Sequence, residues 1–400
     1  MKRVKRTYIK GNPRNGIEYD WKAIHKNFNK LGIPEDVFSP YKYHDVCGGK
    51  YIFDLSERET GKTTNWLLLA MVINAMYGSE IVYMREIVDM ISPRNDSELF
   101  KTILFKEDEE TLNYVEKITD GQYNNILCRS RRYYYWNTET SEVADEPFML
   151  KWSLDENDDK KSSVQLPDSD IIIFDECISR RHNYPDEFVV FMDSIKSIIR
   201  RRFAPLIVLL ANTIDLHSFW FNEFEIYDAV QDLQPGDQKI VTSSGGTIVD
   251  IALVGTSIEE MTADRIEHNK TFFGFKNPKL NSIRGGSWAM DVYQHPYRCK
   301  SIEIDRTRYI EYNGNLLNIE VRYSEEHGYY VVVHKANEIY EDSVVYTIDK
   351  QLKDKRYKYK WGLSRFDKKL GDMYNAGRWT YVSNTEGSLI DGYILTLKKI

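Results

Sequence analysis

The sequence predicts an α/β protein with two domains: the first is built on a central, mainly parallel sheet, and the second is small and rich in β-strands. Apolar runs of strand length alternate with helical segments up to about residue 257, which is typical of a parallel sheet covered by helices. From residue 298 onward, apolar and polar residues alternate and Asn313-Gly314 marks a tight turn, which indicates hairpins. Because 400 residues exceed the usual size of a single core, we expect a first domain over 1–257, a linker with a helical segment over 258–297 and a C-terminal domain over 298–400.

A phosphate-binding loop (P-loop) is expected between the first apolar strand and the helix that follows it. Residues 51–64 read YIFDLSERETGKTT, and the helical run NWLLLAMVINAM comes next. Such a loop directs backbone N–H groups at one point, where the helix N-terminus adds the positive end of its dipole. We therefore expect ATP to bind here, with Lys62 at the β and γ phosphates and the Thr63 hydroxyl on Mg²⁺. The other residues of the expected ATP-binding loop are Ser56, Glu57, Arg58, Glu59, Thr60, Gly61 and Thr64.

Ser56 stands where this motif usually has glycine, the residue that best allows the tight turn. Another small residue can still serve at this position. A loop that only caps the helix is the alternative interpretation of the segment.

A second segment, DIIIFDE over residues 170–176, supports the nucleotide-binding interpretation. Its continuous β-branched and aromatic run predicts a buried parallel strand. Asp175 at the end of this strand is an expected Mg²⁺ ligand, and Glu176 is an expected catalytic base that accepts a proton from an attacking water. The alternative is an ordinary strand followed by an acidic turn.

The next apolar run, PLIVLLAN, ends in Asn212. A polar residue at the tip of the strand beside DIIIFDE can hydrogen-bond the attacking water or the γ-phosphate, so we expect Asn212 to take part in catalysis. The helix FVVFMDSIKSIIRRRF separates these two strands. Strands separated by helices predict the parallel, three-layer sheet of a P-loop ATPase of the additional-strand (ASCE) type.

Four arginines are candidates for contact with DNA. Arg85 ends the strand-like run EIVYMREI, at the carboxyl end where parallel sheets place ligand contacts. The other three, Arg129, Arg131 and Arg132, belong to the run RSRRYYYW within a polar region, 98–165, that predicts an antiparallel excursion from the sheet. This run could place cations and stacking rings along a DNA backbone, and a hairpin with exposed arginines and buried tyrosines is an equal alternative.

Composition limits the choice of function only in part. A formal net charge of −7 and a pI near 5.8 exclude a globally basic protein that coats nucleic acid. The four cysteines are dispersed, and no stretch of eighteen apolar residues occurs, so we expect a soluble intracellular protein in a reducing compartment without a membrane partner.

Taken together, these segments resemble the phi29-like DNA packaging (encapsidation) ATPases of small protein-primed tailed phages, which are terminase-like P-loop ring motors. The resemblance consists of ordered features: a P-loop near the N-terminus with Arg58 inside it, the strand VYMR, the RRYYY segment, DIIIFDE, FMDSI followed by an arginine cluster, LLAN, and a small β-rich C-terminal domain. It implies catalytic roles for Glu176, Asn212 and Arg58. It also implies that Arg200 is an arginine finger acting on a neighbouring subunit, although Arg201 or Arg202 could take that role.

The resemblance further implies a motor that hydrolyses ATP with Mg²⁺ and moves double-stranded DNA into a preformed procapsid. The expected partners are other copies of the chain in a homopentameric ring, the portal or connector of the procapsid, and a packaging RNA. The expected location is the host cytoplasm, transiently at the procapsid vertex and not in the mature virion. The C-terminal domain would be a degenerate RNase H or nuclease-like docking domain without nuclease activity.

The sequence departs from this family at two places. Ser56 and Glu59 replace common P-loop glycines, and residues 86–88 lack the basic side chains that follow the second strand in relatives, which puts DNA gripping at that loop in doubt. Two rival classes stay open: another P-loop NTPase, such as a kinase or a helicase-like enzyme, and a nucleotide-binding structural scaffold.

Overall fold

The computed structural model of the chain describes residues 2–4, 19–35, 37–56, 60–86, 96–108, 110–154, 169–178, 187–199, 204–212, 218–254, 293–362 and 364–399. The side chains of residues 2–4, 96, 97, 398 and 399 are outside this description. The expected linker over 258–297 falls almost entirely outside the described residues, so the domain boundaries stay predictions.

A large sheet forms the first part of the chain. In chain order its strands are β1 (Lys2–Val4), β2 (Lys50–Ser56), β3 (Glu80–Arg85), β4 (Asn125–Arg129), β5 (Arg132–Asn137), β6 (Glu142–Ala144), β7 (Met149–Ser153), β8 (Ser169–Asp175), β9 (Leu206–Asn212), β10 (Gln238–Thr242) and β11 (Ile248–Val254). Their order in space is β1-β6-β5-β7-β3-β8-β9-β2-β11-β10, with β4 beside β5. The run from β7 to β11 is parallel throughout, which confirms the predicted central sheet. Because β9 lies between β2 and β8, the sheet has the additional strand that defines the predicted class.

Helices cover this sheet on both faces. They are α1 (Trp21–Asn29), α2 (Pro40–Tyr43), α3 (Lys62–Tyr77), α4 (Asp96–Leu104), α5 (Tyr114–Ile118), α6 (Glu187–Ile199), α7 (Phe219–Glu223) and α8 (Tyr227–Gln231). The helix α3 is buried along nearly its whole length, and it ends at Gly78, whose φ of 82° is readily available only to glycine. Side chains of β2 alternate between two cores: Ile52 packs with α3, whereas Phe53 and Leu55 pack with α6 and α7.

The polar region after β3 forms the predicted antiparallel excursion. Its strands β4 and β5 make a hairpin, and β5 continues antiparallel to both β6 and β7. The excursion returns to the main sheet through β7, which runs parallel to β3. Sequence reasoning missed β7 because its five residues, MLKWS, contain a lysine, although all five are buried.

The C-terminal part forms a separate mixed sheet, which confirms the small β-rich domain. Its strands are β12 (Ile302–Tyr312), β13 (Asn315–Ser324), β14 (Gly328–Lys335), β15 (Val344–Thr347), β16 (Tyr357–Tyr359) and β17 (Trp379–Tyr381), in the order β16-β15-β12-β13-β14-β17. Asn313 and Gly314, with φ values of 49° and 68°, make the predicted tight turn between β12 and β13. Two helices, α9 (Arg365–Asn375) and α10 (Asn384–Lys399), complete the domain. The sequence had left the last segment open between strand and helix.

The cysteines and the helices of the described residues bear on the compartment and on the membrane. All four cysteines are present there as free thiols. None of the described helices combines the length and apolar character that crossing a bilayer requires.

Candidate active site

The P-loop connects the end of β2 to the start of α3. Ser56 is the last residue of β2 and is fully buried, and α3 begins at Lys62. Gly61 between them has a φ of 82°, and a β-carbon at this position would lie 2.9 Å from Val37 Cγ1. Both the backbone conformation and the close approach therefore require glycine here. Residues 57–59 lie outside the described residues, so the expected roles of Glu57, Arg58 and Glu59 stay predictions.

Lys62 lies where three strand ends meet. Its Nζ donates to Ser56 Oγ at 2.8 Å and to Asn212 Oδ1 at 2.7 Å. Burial lowers the pKa of Lys62, and the charges of Asp54 and Asp175 counteract this effect. The structure thus brings together Lys62 and the predicted tip residue Asn212, and the serine that replaces glycine supplies an acceptor for the lysine.

The Thr63 hydroxyl and the Asp175 carboxylate face each other beside the P-loop. Thr63 Oγ1 lies 3.2 Å from Asp175 Oδ1, at the end of β8. Asp175 also accepts a hydrogen bond from the Tyr83 hydroxyl at 2.6 Å. A hydroxyl and a carboxylate are hard oxygen ligands, and Mg²⁺ typically takes only a few protein ligands beside phosphate oxygens and waters. The pair Thr63 and Asp175 therefore fits Mg²⁺.

Glu176 follows Asp175 in a left-handed backbone conformation, with a φ of 55°. Its carboxylate forms an ion pair with Arg85, whose Nη1 lies 2.5 Å from Glu176 Oε2. The other terminal nitrogen of Arg85, Nη2, lies 3.0 Å from Asp175 Oδ2. Burial lowers the pKa of Arg85, but Asp175, Tyr83 and Glu176 together outweigh burial, so the net shift of the pKa is upward. The structure places the Arg85 guanidinium between the two acids of the site, and its expected contact with DNA stays a prediction.

These residues surround one cavity of about 610 Å³. Its walls are formed by Thr60, Gly61, Lys62, Thr63, Thr64, Tyr83, Arg85, Glu98, Leu99, Lys151, Asp175, Glu176 and Asn212.

Sequence reasoning missed four of the residues that line the cavity, namely Tyr83, Glu98, Leu99 and Lys151, of which Lys151 is the one cation. It lies on β7 with 3% of its surface exposed, and its ammonium group is 5.3 Å from the centre of the Tyr133 ring. Its backbone N–H donates to the carbonyl of Arg131 at 2.9 Å, so the strand that carries Lys151 is bonded directly to the arginine-rich hairpin. The available signal was a lysine inside an otherwise apolar run.

The RSRRYYYW segment forms a hairpin, as one of the two interpretations of the sequence predicted. Ser130 and Arg131 form the turn, with φ values of 49° and 65°. Tyr133 and Tyr135 are buried in the core beside α3. Arg129 at the end of β4 and Arg131 in the turn are exposed, and Arg132 is partly buried; a DNA contact of these three side chains stays a prediction. Arg200, Arg201 and Arg202 lie outside the described residues.

The fold and the site together define a P-loop nucleotide-binding protein of the additional-strand class. Solved structures of phage packaging proteins are similar to it. The Phi-28 gp11 DNA packaging motor aligns with a TM-score of 0.52 at 16% identity, over 92% of this chain and 99% of that chain. The bacteriophage Phi-29 viral genome packaging motor assembly aligns with a TM-score of 0.49 at 15% identity, over 92% and 100% of the two chains. The large terminase ATPase domain of Thermus phage P74-26 aligns with a TM-score of 0.36 at 13% identity, over 62% and 92%.

At these identities the similarity concerns the fold. The alignment with the Phi-28 motor covers almost all of both chains and confirms, at the level of the fold, the resemblance that the sequence predicts. No protein-family model matches the chain, and no curated protein matches it.

Proposed function

We propose that this protein is an ATP-hydrolysing motor that translocates double-stranded viral DNA into a preformed procapsid. The observation that carries the proposal is the meeting of Lys62, Thr63, Asp175 and Asn212 in one cavity at the carboxyl ends of parallel strands. The near full-length fold similarity to a DNA packaging motor supports this function, by analogy of fold, among the functions of P-loop ATPases.

Five of the residues that line the cavity have a definite task in this proposal. Lys62 and the N-terminus of α3 bind the β and γ phosphates of ATP, while Thr63 and Asp175 hold Mg²⁺. When bound, Mg²⁺ offsets negative charge on the phosphate oxygens. Glu176 accepts the proton of the attacking water, and one of its two carboxylate oxygens, Oε2, is paired with Arg85 in the free protein. Asn212 holds Lys62 in the free protein and is close enough to the phosphate site to contact the γ-phosphate or the water.

The remaining parts of the motor are proposed from the sequence resemblance. Arg200, or its neighbours Arg201 and Arg202, completes the site of the adjacent subunit in a ring of five. Arg129, Arg131 and Arg132 contact the DNA backbone. The ring works in the host cytoplasm at the procapsid vertex, with the portal and a packaging RNA as partners, and its C-terminal domain docks without nuclease activity.

The rate of ATP hydrolysis with and without double-stranded DNA tests this function. We expect stimulation that is independent of DNA sequence and decreases with salt, because a translocating motor grips the phosphate backbone rather than reading bases. ATP binding without turnover would indicate a scaffold. Phosphate transfer to an acceptor other than water would indicate a kinase.

A further inference from the structure

Asp54 is a buried carboxylate that the proposed chemistry does not use. It lies within β2, has no exposed surface and is not among the residues that line the ATP cavity. A charged group in the interior of a sheet costs free energy unless partners compensate it. The position of Asp54 therefore requires an explanation.

Two side-chain hydrogen bonds join β2 to α3 next to each other. Lys62 Nζ donates to Ser56 Oγ at 2.8 Å, and Trp66 Nε1 donates to Asp54 Oδ2, also at 2.8 Å. Asp54 and Ser56 are two residues apart on a strand and thus point to the same face. Lys62 and Trp66 are four residues apart on a helix and also share a face. The two hydrogen bonds are therefore neighbouring contacts between β2 and α3, and the P-loop connects these two elements beside the Lys62 contact.

The carboxylate that accepts the Trp66 bond is itself supported by a buried ionic network. His44 Nε2 lies 4.0 Å from Asp54 Oδ2, and its Nδ1 lies 3.1 Å from Asp250 Oδ1 on β11. Lys50 Nζ lies 3.0 Å from Asp250 Oδ2. Burial raises the pKa of Asp54, while His44, Lys62 and the Trp66 indole favour its charged form. Asp54 is thus linked to the neighbouring strand as well as to α3.

We infer that Asp54 is a positioning residue for the ATP-binding lysine: through Trp66, one turn after Lys62, it fixes the N-terminal part of α3 to β2 and thereby holds the Lys62 ammonium at the phosphate site. The inference rests on the proposed function, because it presupposes that Lys62 binds ATP. Asp54 acts through the helix and does not touch the nucleotide. The hydrogen bond between Lys62 and Ser56 lies next to the P-loop, and the hydrogen bond between Trp66 and Asp54 lies farther from it.

The test compares Trp66→Phe, Asp54→Asn and Asp54→Ala with the wild type in the full chain. The ATP dissociation constant is measured by calorimetry, KM and kcat by phosphate release, and the melting temperature by scanning calorimetry. Trp220→Phe is the matched control, because Trp220 is equally buried on the opposite face of the sheet and its Nε1 has no hydrogen-bond partner among the described residues.

We expect Trp66→Phe and Asp54→Ala to raise the dissociation constant and KM for ATP by about tenfold, within the ~10²-fold that a misplacement of about 1 Å can cost. The kcat at saturating ATP should stay within about twofold, since Lys62 contacts phosphates in both the ground state and the transition state. Asp54→Asn should be the mildest Asp54 variant, because asparagine retains an oxygen acceptor for Trp66. Trp220→Phe should lower the melting temperature without changing KM.

Two results would overturn the inference: an unchanged KM in folded Trp66→Phe and Asp54→Ala, or an equal rise in KM for Trp220→Phe, which would reduce the effect to general stability. Failure of the proposed function looks different, because it appears in the wild type itself, as no binding of ATP, binding without turnover, or turnover that DNA does not stimulate.

Discussion

Arg85 is positioned to restrain the carboxylate that we assign as the catalytic base. Its guanidinium bridges Glu176, at 2.5 Å, and Asp175, at 3.0 Å, and it also donates to the Tyr83 hydroxyl at 3.1 Å. The pair occupies one of the two carboxylate oxygens of Glu176, and Oε2 must be released before it can accept a proton from water. The substitution Arg85→Gln removes the positive charge and keeps a side chain that can still hydrogen-bond Tyr83.

The size of the effect follows from exposure. The Glu176 side chain is 45% exposed, so its pair with Arg85 is worth at most about 1 kcal/mol. A free energy of about 1 kcal/mol corresponds to roughly a fivefold change in rate. We therefore expect Arg85→Gln to raise the DNA-independent kcat by about twofold to fivefold, and to reduce the stimulation by DNA by a similar factor.

The same substitution should also lower the melting temperature without nucleotide, because Asp175 is nearly buried and loses a cationic partner. Addition of ATP with Mg²⁺ should recover much of this loss, since the metal is expected at the same carboxylate.

Phosphate release at saturating ATP, with and without double-stranded DNA, measures the effect on turnover. Arg308→Gln in the C-terminal domain is a suitable control: Arg308 is 20% exposed against 18% for Arg85, and it faces another nearly buried carboxylate, Asp367, at 3.6 Å. The control should lose stability and keep its basal rate. A fall of about 10²-fold or more in basal kcat of folded Arg85→Gln would show that Arg85 stabilises the transition state instead. An unchanged basal rate would mean that the ion pair does not limit the base.

Further predictions concern the other residues of the site. Glu176→Gln should bind ATP normally and lose about 10²–10⁴-fold in turnover, so near-normal phosphate release would contradict its role as base. Lys62→Ala should lose ATP affinity in calorimetry, because the phosphates lose their charged contact; tight binding would show that the loop is not a phosphate site. Neutralising Arg129, Arg131 and Arg132 together should weaken stimulation by DNA at fixed salt and leave basal turnover intact, whereas unchanged stimulation would assign the segment a purely structural role. A mixture of inactive Arg200→Ala and Glu176→Gln subunits should recover hydrolysis, because some interfaces then pair an intact site with an intact arginine. If exchanging subunits never recover activity, Arg201 and Arg202 should be tested in the same way.

The parts of the site that the sequence predicted are those that depend on local geometry. A strand, a loop and a helix in immediate succession place Lys62 and Thr63 without knowledge of any distant residue. Asp175 and Asn212 could be added because parallel strands end at the same edge of a sheet, so their terminal residues converge. The structure brings these four side chains together through the contacts of Lys62 and Thr63.

The position of Lys151 and the partners of Arg85 could not be predicted from the sequence, because both depend on strand order and register. Lys151 enters the cavity because β7 returns to the main sheet beside β3 and sets it opposite Tyr83, a pairing between residues 68 positions apart. Arg85 could be placed at the carboxyl end of its strand, but its partners were uncertain until β8 was known to be the next strand. Both cases need the topology of the excursion, which periodicity alone does not supply.

Ser56 departs from the usual P-loop motif, and its hydroxyl makes a hydrogen bond that a glycine could not make. At the level of sequence the missing glycine weakens the P-loop assignment, because glycine eases the turn. In the structure the serine hydroxyl is an acceptor for Lys62. Two residues earlier on the same strand face, Asp54 accepts the indole of Trp66. The serine and the aspartate thus both accept hydrogen bonds from side chains of α3, and a glycine at position 56 would remove one of the hydrogen bonds of Lys62. The departure from the motif and the buried carboxylate therefore have a common physical explanation: both supply hydrogen-bond acceptors on β2 that position the lysine.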